Sequence, residues 1–436
     1  MRVWHFSAND CRGGAAQAAY CFHECLRKMG HESRMMVSQR ATDDSDVQQI
    51  SVRTIRQFSF HQILRRMRLL FLYRAKSLKI ADHCTFNRNL APELDVNGLL
   101  GNAGQRPDVI VLYWLSHSIS AEGIRDLYEY FKVPIVWVLL DSEPYTGGCH
   151  YVMGCDKFKS ICGACPRLGS SSMSDLSRFT WNEKKKVLGG IPITFIAPTL
   201  WLLRQIKASS LFGESRIENL PLPIGGKYFK PFDKAIARQV LRLPQDSFII
   251  LAGCHKMDDP RKGMGLMKES LELLAVKLKQ DGKILDKKIC CVFIGNDPSS
   301  IYGQVPFAVY GLGYLQSELD LSLAYQASDV FVSPSIEDAG PMMLSQSMLC
   351  GTPVVAFRTT GIAPEIIKHM NNGYLVDTVS AMGLAEGIYS ILTCENRIQL
   401  NVSAAETARS YHEPGNVVEK FKNLLTSIID DANNAC

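Results

Sequence analysis

The chain has 436 residues, 46% of them hydrophobic and 21% charged, with a formal net charge of +5. That is a globular composition, too long for one ordinary core, and it suggests two domains of roughly 200 residues each. No stretch approaches the roughly 20 consecutive apolar residues that a membrane-spanning helix needs, which excludes a helical membrane protein.

Met1 to Phe6 reads as a short strand running into a polar loop, not as a signal peptide, and places the protein in the cytoplasm. Gly13-Gly14-Ala15-Ala16 follows the loop, and helical spacing runs from Ala15 to Met29. Strand, glycine pair and helix together bring backbone close to a ligand at a helix N-terminus; many such turns use the glycines for geometry only. Met35 to Ser38 reads as the second strand.

Between Asp46 and Asp82 there is no acidic residue, while Arg53 to Lys79 carries six arginines and two lysines interleaved with apolar residues such as Phe60, Ile63, Leu64 and Met67. An amphipathic basic segment of this kind suits an anionic membrane surface. The plainer reading is a pair of helices packed on the first domain with a solvated basic face. No nucleic-acid-binding signature accompanies the charge.

Val109 to Leu115 reads as a strand, Ala121 to Phe131 as a helix and Pro134 to Leu140 as a buried strand with Asp141 at its carboxyl end. A carboxylate there serves either chemistry or the capping of the next turn. Cys149, Cys155, Cys162 and Cys165 then fall within 17 residues, the last two as Cys-x2-Cys, with His150 as a spare ligand. Three readings stand: a structural zinc site, free thiols, or a disulfide or redox pair. Most of the other cysteines among the 14 sit in apolar segments and read as reduced core residues.

After strands at Ile193 to Ala197 and Ile217 to Leu222, Pro221, Pro223, Gly225, Gly226 and Pro231 crowd a linker. Phe248 to Gly253 starts a second sheet. Cys254 to Gly265 holds Lys256, Arg261 and Lys262 ahead of a helix from Leu266, where fixed positive charge and free backbone N–H groups suit a diphosphate; the alternative is a solvated basic loop. Gly311-Leu312-Gly313-Tyr314 follows another strand and could receive a flat base. Ala327 to Phe357 reads as strand, polar loop, helix and strand, with Glu337, Asp338 and Gln346 near the loop–helix junction. Strands alternate with helices throughout. The expected fold is α/β: two doubly wound Rossmann-like domains facing a cleft. Their expected bounds are 1–222 and 232–400, with 401–436 a terminal helix returning to the first.

The Asp-Pro-Arg-Lys-Gly loop, the Pro-Ser…Cys-Gly-Thr-Pro-Val-Val unit and the linker with Phe-Lys-Pro resemble the retaining, GT-B-fold glycosyltransferases of family 4. Gly-Gly-Ala near the start and Thr-Gly-Gly-Cys-His-Tyr resemble the bacterial surface-polysaccharide branch. The resemblance implies that Asp338 faces the donor sugar, with Glu337 able to take its place, and that Gln346 meets the ribose hydroxyls. The family carries glutamates at the positions of Asp338 and Gln346. It implies that Lys262, with Lys256 and Arg261 near it, holds the diphosphate, and that Gly13 and Gly14 approach the donor phosphates and acceptor. Relatives often have His-Asp where this chain has Leu140-Asp141.

The implied activity transfers a sugar, with retention, from a UDP- or GDP-sugar to a hydroxyl of a lipid-linked glycan in polysaccharide assembly. It needs no catalytic metal, because cations and helix N-termini stabilise the leaving diphosphate. The basic segment implies peripheral contact with the inner face of the cell membrane. Two other classes stand beside it, a nucleotide-sugar epimerase of similar fold and a non-catalytic nucleotide-sugar-binding protein.

Overall fold

The computed structural model describes residues 1–11, 13–50, 60, 63–64, 67, 94–103, 105–225, 227–281, 287–296 and 304–435. The basic segment 53–79 therefore lies outside the described residues, except for Phe60, Ile63, Leu64 and Met67.

The chain forms two compact units, Met1–Pro223 with Pro414–Cys436, and Ile224–Glu413. The first contains β1 (Arg2–Asn9), α1 (Gly14–Lys28), β2 (Glu32–Gln39), β3 (Val47–Gln49), α2 (Val96–Ala103), β4 (Val109–Leu112) and α3 (Ala121–Phe131). It continues through β5 (Ile135–Val138), α4 (Leu176–Leu188), β6 (Ile193–Ala197), α5 (Leu200–Lys207) and β7 (Ile217–Asn219). The strands pair in the order β3-β2-β1-β4-β5-β6-β7, all parallel.

The second unit runs α6 (Lys234–Val240), β8 (Ser247–Lys256), α7 (Met264–Gln280), β9 (Lys288–Asn296), β10 (Ala308–Gly313), α8 (Glu318–Ala327) and β11 (Val330–Ser333). Then follow α9 (Met342–Leu349), β12 (Val354–Phe357), α10 (Ala363–Ile366), β13 (Gly373–Val376), α11 (Ala381–Leu392) and α12 (Arg397–His412). Its sheet is also parallel, in the order β10-β9-β8-β11-β12-β13. Pro414 opens α13 (Pro414–Ala435), which returns the chain to the first unit.

Strands of parallel sheets are covered on both faces and so read as unbroken apolar runs. Val-Ile-Val-Leu in β4, Ile-Val-Trp-Val in β5 and Val-Val-Ala-Phe in β12 are buried throughout. In β8, Phe248, Ile250 and Ala252 join one core, and Ile249 and Leu251 join the core on the other face, as the two-residue strand period requires. Side-chain caps start the helices: Ser120 accepts from Gly123 N–H, Asp175 from Arg178 N–H and Thr199 from Leu202 N–H. Each such cap stabilises its helix by about 1 kcal/mol.

Four elements escape the sequence reading, α2 among them. β3 has three residues and is held by pairing with Met35 to Val37 of β2. Helix α4 buries Lys184 beside Trp181, so its apolar stripe is broken by a charge. Helix α12 buries Leu400, Ala404, Ala405, Ala408 and His412; small and polar inward residues leave no period in large apolar side chains. Helix α13 shows its period plainly, and Val417, Val418, Phe421, Leu425 and Ile428 pack into the first unit's core. Phe421 meets Phe22 of α1 with ring centroids 4.3 Å apart.

In each sheet the chain winds one way from the central strand and then crosses to the other side, between β1 and β4 and between β8 and β11. Ligands of open α/β sheets bind outside the carboxyl ends of the strands at such switch points. Among the described residues no helix is long and apolar enough to cross a membrane.

Candidate functional site

In the second unit the loops after β8 and β11 meet. Asp259 Oδ1 accepts from Arg261 N–H at 3.0 Å and starts a 3₁₀ turn over Pro260–Lys262. Gly263 ends that turn at φ +67, and a Cβ there would lie 2.0 Å from the Pro334 carbonyl oxygen. Only glycine allows both that backbone and that approach. Ile336 N–H donates to the Arg261 carbonyl at 2.8 Å, fixing the loops together. Behind them, Thr360 Oγ1 donates to the Ser335 carbonyl at 2.7 Å, and Gly361 lies directly against the backbone of Asp338 and Ala339.

This frame brings four charged groups together, Lys262, Arg261, Asp338 and Asp259, the last with its Oδ2 3.2 Å from Arg261 Nη2. Lys262 Nζ is 2.6 Å and Arg261 Nη1 is 3.0 Å from Asp338 Oδ2, and Arg261 Nη1 also donates to the Glu337 carbonyl at 3.0 Å. Asp338 Oδ1 accepts from Gly340 N–H at 3.3 Å. Asp338 is only 5% exposed. Burial pushes its carboxyl upward, but Lys262 and Arg261 outweigh that and hold it at about 2. It is therefore ionised at every ordinary pH and is too weak a base to accept a proton at neutrality.

Lys256 is the last residue of β8, exposed, and pairs in register with Asn296 of β9. Gly313 ends β10 with φ +65, and the exposed Tyr314 ring follows, 5.1 Å from the His255 ring and edge-on to it. His255 was not singled out from the sequence; only the pairing of β8 and β9 with β10 brings it to Tyr314. Gln346 is not gathered with Asp338: it is buried in α9, and its Oε1 accepts from Tyr325 Oη at 3.4 Å.

In the first unit Gly13 has φ +84 at the start of α1, and Gly14 is the first helical residue. After β5, Asp141 caps the turn that follows. Its Oδ1 accepts from Glu143 N–H at 2.9 Å, closing the turn. Its Oδ2 accepts from Trp114 Nε1–H at 2.8 Å and from His150 Nδ1 at 2.6 Å. His150 is 1% exposed, and its Nε2 is 3.4 Å from Ser116 Oγ. Burial alone would lower the imidazole pKa; the Asp141 charge and hydrogen bond outweigh it and raise it. Nearby, Lys184 Nζ meets Glu143 Oε1 at 2.7 Å. His150 is the residue the sequence reading missed as a partner of Asp141. Its signal was its place in a turn-rich run nine residues on. His117, closer in sequence to the preceding strand, is exposed in a left-handed conformation with φ 64.

The structure gives no support to the zinc reading of Cys149, Cys155, Cys162 and Cys165. The four are free thiols that line one cavity of about 20 Å³ with Gly147 and Phe158. Among the described residues no group of three or more His, Cys, Asp or Glu could hold a metal ion. Burial pushes the Cys162 thiol up to about 11 and raises Cys149 and Cys165 as well. Lys157, one of two cations lining the cavity with Arg167, donates to the Gly163 and Ala164 carbonyls at 3.0 and 2.5 Å.

Residues 237–411 match the family described as Glycosyl transferases group 1. That stretch contains the whole Lys262–Arg261–Asp338 cluster. The chain is 28% identical, over 118 residues, to the N,N'-diacetylbacillosaminyl-diphospho-undecaprenol alpha-1,3-N-acetylgalactosaminyltransferase of Campylobacter jejuni, a match covering 27% of this chain and 31% of that protein. Its matches to curated relatives span 28–44% of their length.

Two solved structures are similar over nearly their whole length. The sucrose-phosphate synthase of Thermosynechococcus elongatus has a TM-score of 0.66 at 17% identity, covering 99% of both chains. The Anabaena HepE protein in complex with UDP-glucose has a TM-score of 0.65 at 14% identity, covering 98% of this chain and 100% of that one. The two parallel-sheet, Rossmann-like units are those of the GT-B fold.

Proposed function

We propose that the protein is a retaining glycosyltransferase of the family 4 type. It moves a sugar from a nucleoside-diphosphate donor to a hydroxyl of a lipid-linked glycan in polysaccharide assembly. The observation that carries the reading is the charge cluster at the carboxyl ends of β8 and β11, inside the family match. Two similar proteins support the substrate classes: one neighbour is bound to UDP-glucose, and one relative acts on a diphospho-undecaprenol sugar.

In this reading Lys262, with Lys256 and the N-terminus of α7, takes the charge that develops on the leaving diphosphate. Lys262 is shared between the diphosphate and Asp338 when donor binds. Asp338 works as a fixed acceptor for a sugar hydroxyl. A leaving phosphate oxygen takes the acceptor proton as the acceptor oxygen bonds to the anomeric carbon on the face the diphosphate vacates. The roles are sugar for Asp338 or Glu337, diphosphate for Lys262 and Arg261, and base contact for Gly313 and Tyr314. Gly13 and Gly14 approach donor phosphates and acceptor. Asp141 with His150 orders the acceptor side. Gln346 meets the ribose only if its side chain turns from Tyr325 on donor binding.

The test is incubation of the pure protein with labelled UDP-, GDP- and ADP-sugars. Slow hydrolysis without acceptor, stimulated by a diphospholipid-linked glycan, is expected. Epimerised donor assigns a nucleotide-sugar epimerase instead, and binding without turnover assigns a non-catalytic binding protein.

A further inference from the structure

Trp114 stands just beyond the carboxyl end of β4, and its carbonyl accepts from Ala8 N–H of β1 at 2.9 Å. It therefore lies where β4 runs beside β1, at the switch point of the first sheet, and ligands of open α/β sheets bind outside such points. Its neighbours Tyr113 and Leu115 are buried, while Trp114 itself is only half-buried.

The indole is held fixed. Its Nε1–H donates to Asp141 Oδ2 at 2.8 Å, and the same oxygen accepts from His150 Nδ1 at 2.6 Å. The His150 ring lies beside the indole, centroids 5.8 Å apart and planes tilted by 35°. Asp141 is fixed in turn through Oδ1 by Glu143 N–H. The entropy of ordering a large side chain is thus spent before any ligand arrives. The ring nitrogen is the only polar atom of an indole, a donor with one hydrogen, and Asp141 takes it. What the ring offers to solvent is apolar aromatic surface, so a ligand answers it with C–H groups rather than hydrogen bonds. The charges beside it are paired, Asp141 with His150 and Glu143 with Lys184, which favours a neutral ligand over a phosphate. A sugar ring meets both conditions: it is neutral, with C–H groups on one face and hydroxyls around its edge.

We propose that Trp114 is the platform on which a sugar ring of the acceptor stacks, the C–H face of that ring on the indole. Trp114 then selects acceptors that present a carbohydrate ring over a bare lipid alcohol. Calling that sugar the acceptor rests on the transferase reading; the stacking itself does not.

The experiment titrates the full chain by saturation-transfer NMR with the methyl glycosides of glucose, galactose, mannose and N-acetylglucosamine, and with uridine monophosphate. Expected is binding of at least one glycoside, with the strongest saturation on ring C–H protons of a single face. Trp114→Leu should weaken that binding about tenfold, and Trp114→Phe by no more than about threefold, because phenylalanine keeps an aromatic face. Absence of binding by every glycoside, or wild-type binding by Trp114→Leu, overturns the proposal. So does a leucine variant that loses only the nucleotide, which would assign the indole to a base. Should Trp114→Leu fail to fold, fluorine NMR of the fluorotryptophan-labelled protein decides, with the Trp114 signal identified by its absence in Trp114→Phe. A shift of that signal with glycoside supports the proposal, and an unmoved signal overturns it. Donor hydrolysis by the wild type is assayed in parallel. Stacking without hydrolysis leaves a glycan platform and removes the transferase reading; hydrolysis without stacking does the reverse.

Discussion

The two units build the same device and fill it differently. Each is a parallel sheet whose order reverses beside its first strand, and each places a buried carboxylate beyond the carboxyl end of a strand. In the second unit Asp338 meets Lys262 and Arg261, with exposed Lys256 at the end of the neighbouring strand. Arg261 also pairs with Asp259, so two cations face two carboxylates there, and Lys256 adds the further positive charge that suits an anion. In the first unit Asp141 is matched by one imidazole and one indole N–H. That pair is near neutral, buried and ordered in advance, and suits holding a hydroxyl. The fold supplies the position; the charge count of the side chains decides the chemistry.

The comparison breaks first at Lys262. Lys262→Ala removes the cation from the anion-binding side and should lower donor turnover by about 10²–10³. Turnover within twofold of wild type would end the diphosphate assignment. Gly263→Ala should cost about 3 kcal/mol or more of stability, read as a lowered Tm, because its Cβ would lie 2.0 Å from the Pro334 oxygen at a φ that disfavours side chains. An unshifted Tm would mean the two loops do not depend on that close approach.

Acid should separate the units. Burial holds His23 of the first unit at about 4 and His5 well below its usual value. The unfolded chain then binds more protons between about pH 6.5 and 4. The stability from keeping these histidines neutral is complete above about 6.5 and lost as pH falls through that window, on the order of 3 kcal/mol for His23. His150, raised by Asp141, opposes this in part. Asp338, held at about 2, keeps its contribution until pH falls below the unfolded carboxylate value near 4. Melts across this range should show the first unit weakening first, with a shallower slope in His23→Gln; equal weakening of both units would contradict the contrast. The smallest effect is expected at His150→Gln. A positioning role predicts about a tenfold loss in kcat with an altered acid limb of the pH–rate profile. The double variant with Asp141→Asn should lose little more than either single change. Independent, additive losses would sink the dyad.

Some of this was open to reading from the sequence. Buried parallel strands announce themselves as apolar runs, and the Asp-Pro-Arg-Lys-Gly loop announces a cationic turn before a helix. Helix α12, faced with alanines, does not, and neither does the pairing of Asp141 with His150, which depends on how a turn-rich run folds back. The four cysteines have the spacing of a metal site, yet spacing does not place sulfur atoms; the fold gathers them as free thiols around one cavity.

By itself the sequence determined the α/β alternation, the location of the linker and the identity of the charged loops, because these depend on local period, turn chemistry and composition. Tertiary structure alone decided that Lys262 and Asp338, 76 residues apart, share one hydrogen bond. It alone turned Gln346 toward Tyr325 and left Phe60, Ile63, Leu64 and Met67 exposed. Those outcomes rest on how loops from different strands pack and on which faces find a partner, and neither is encoded within one local window of the chain.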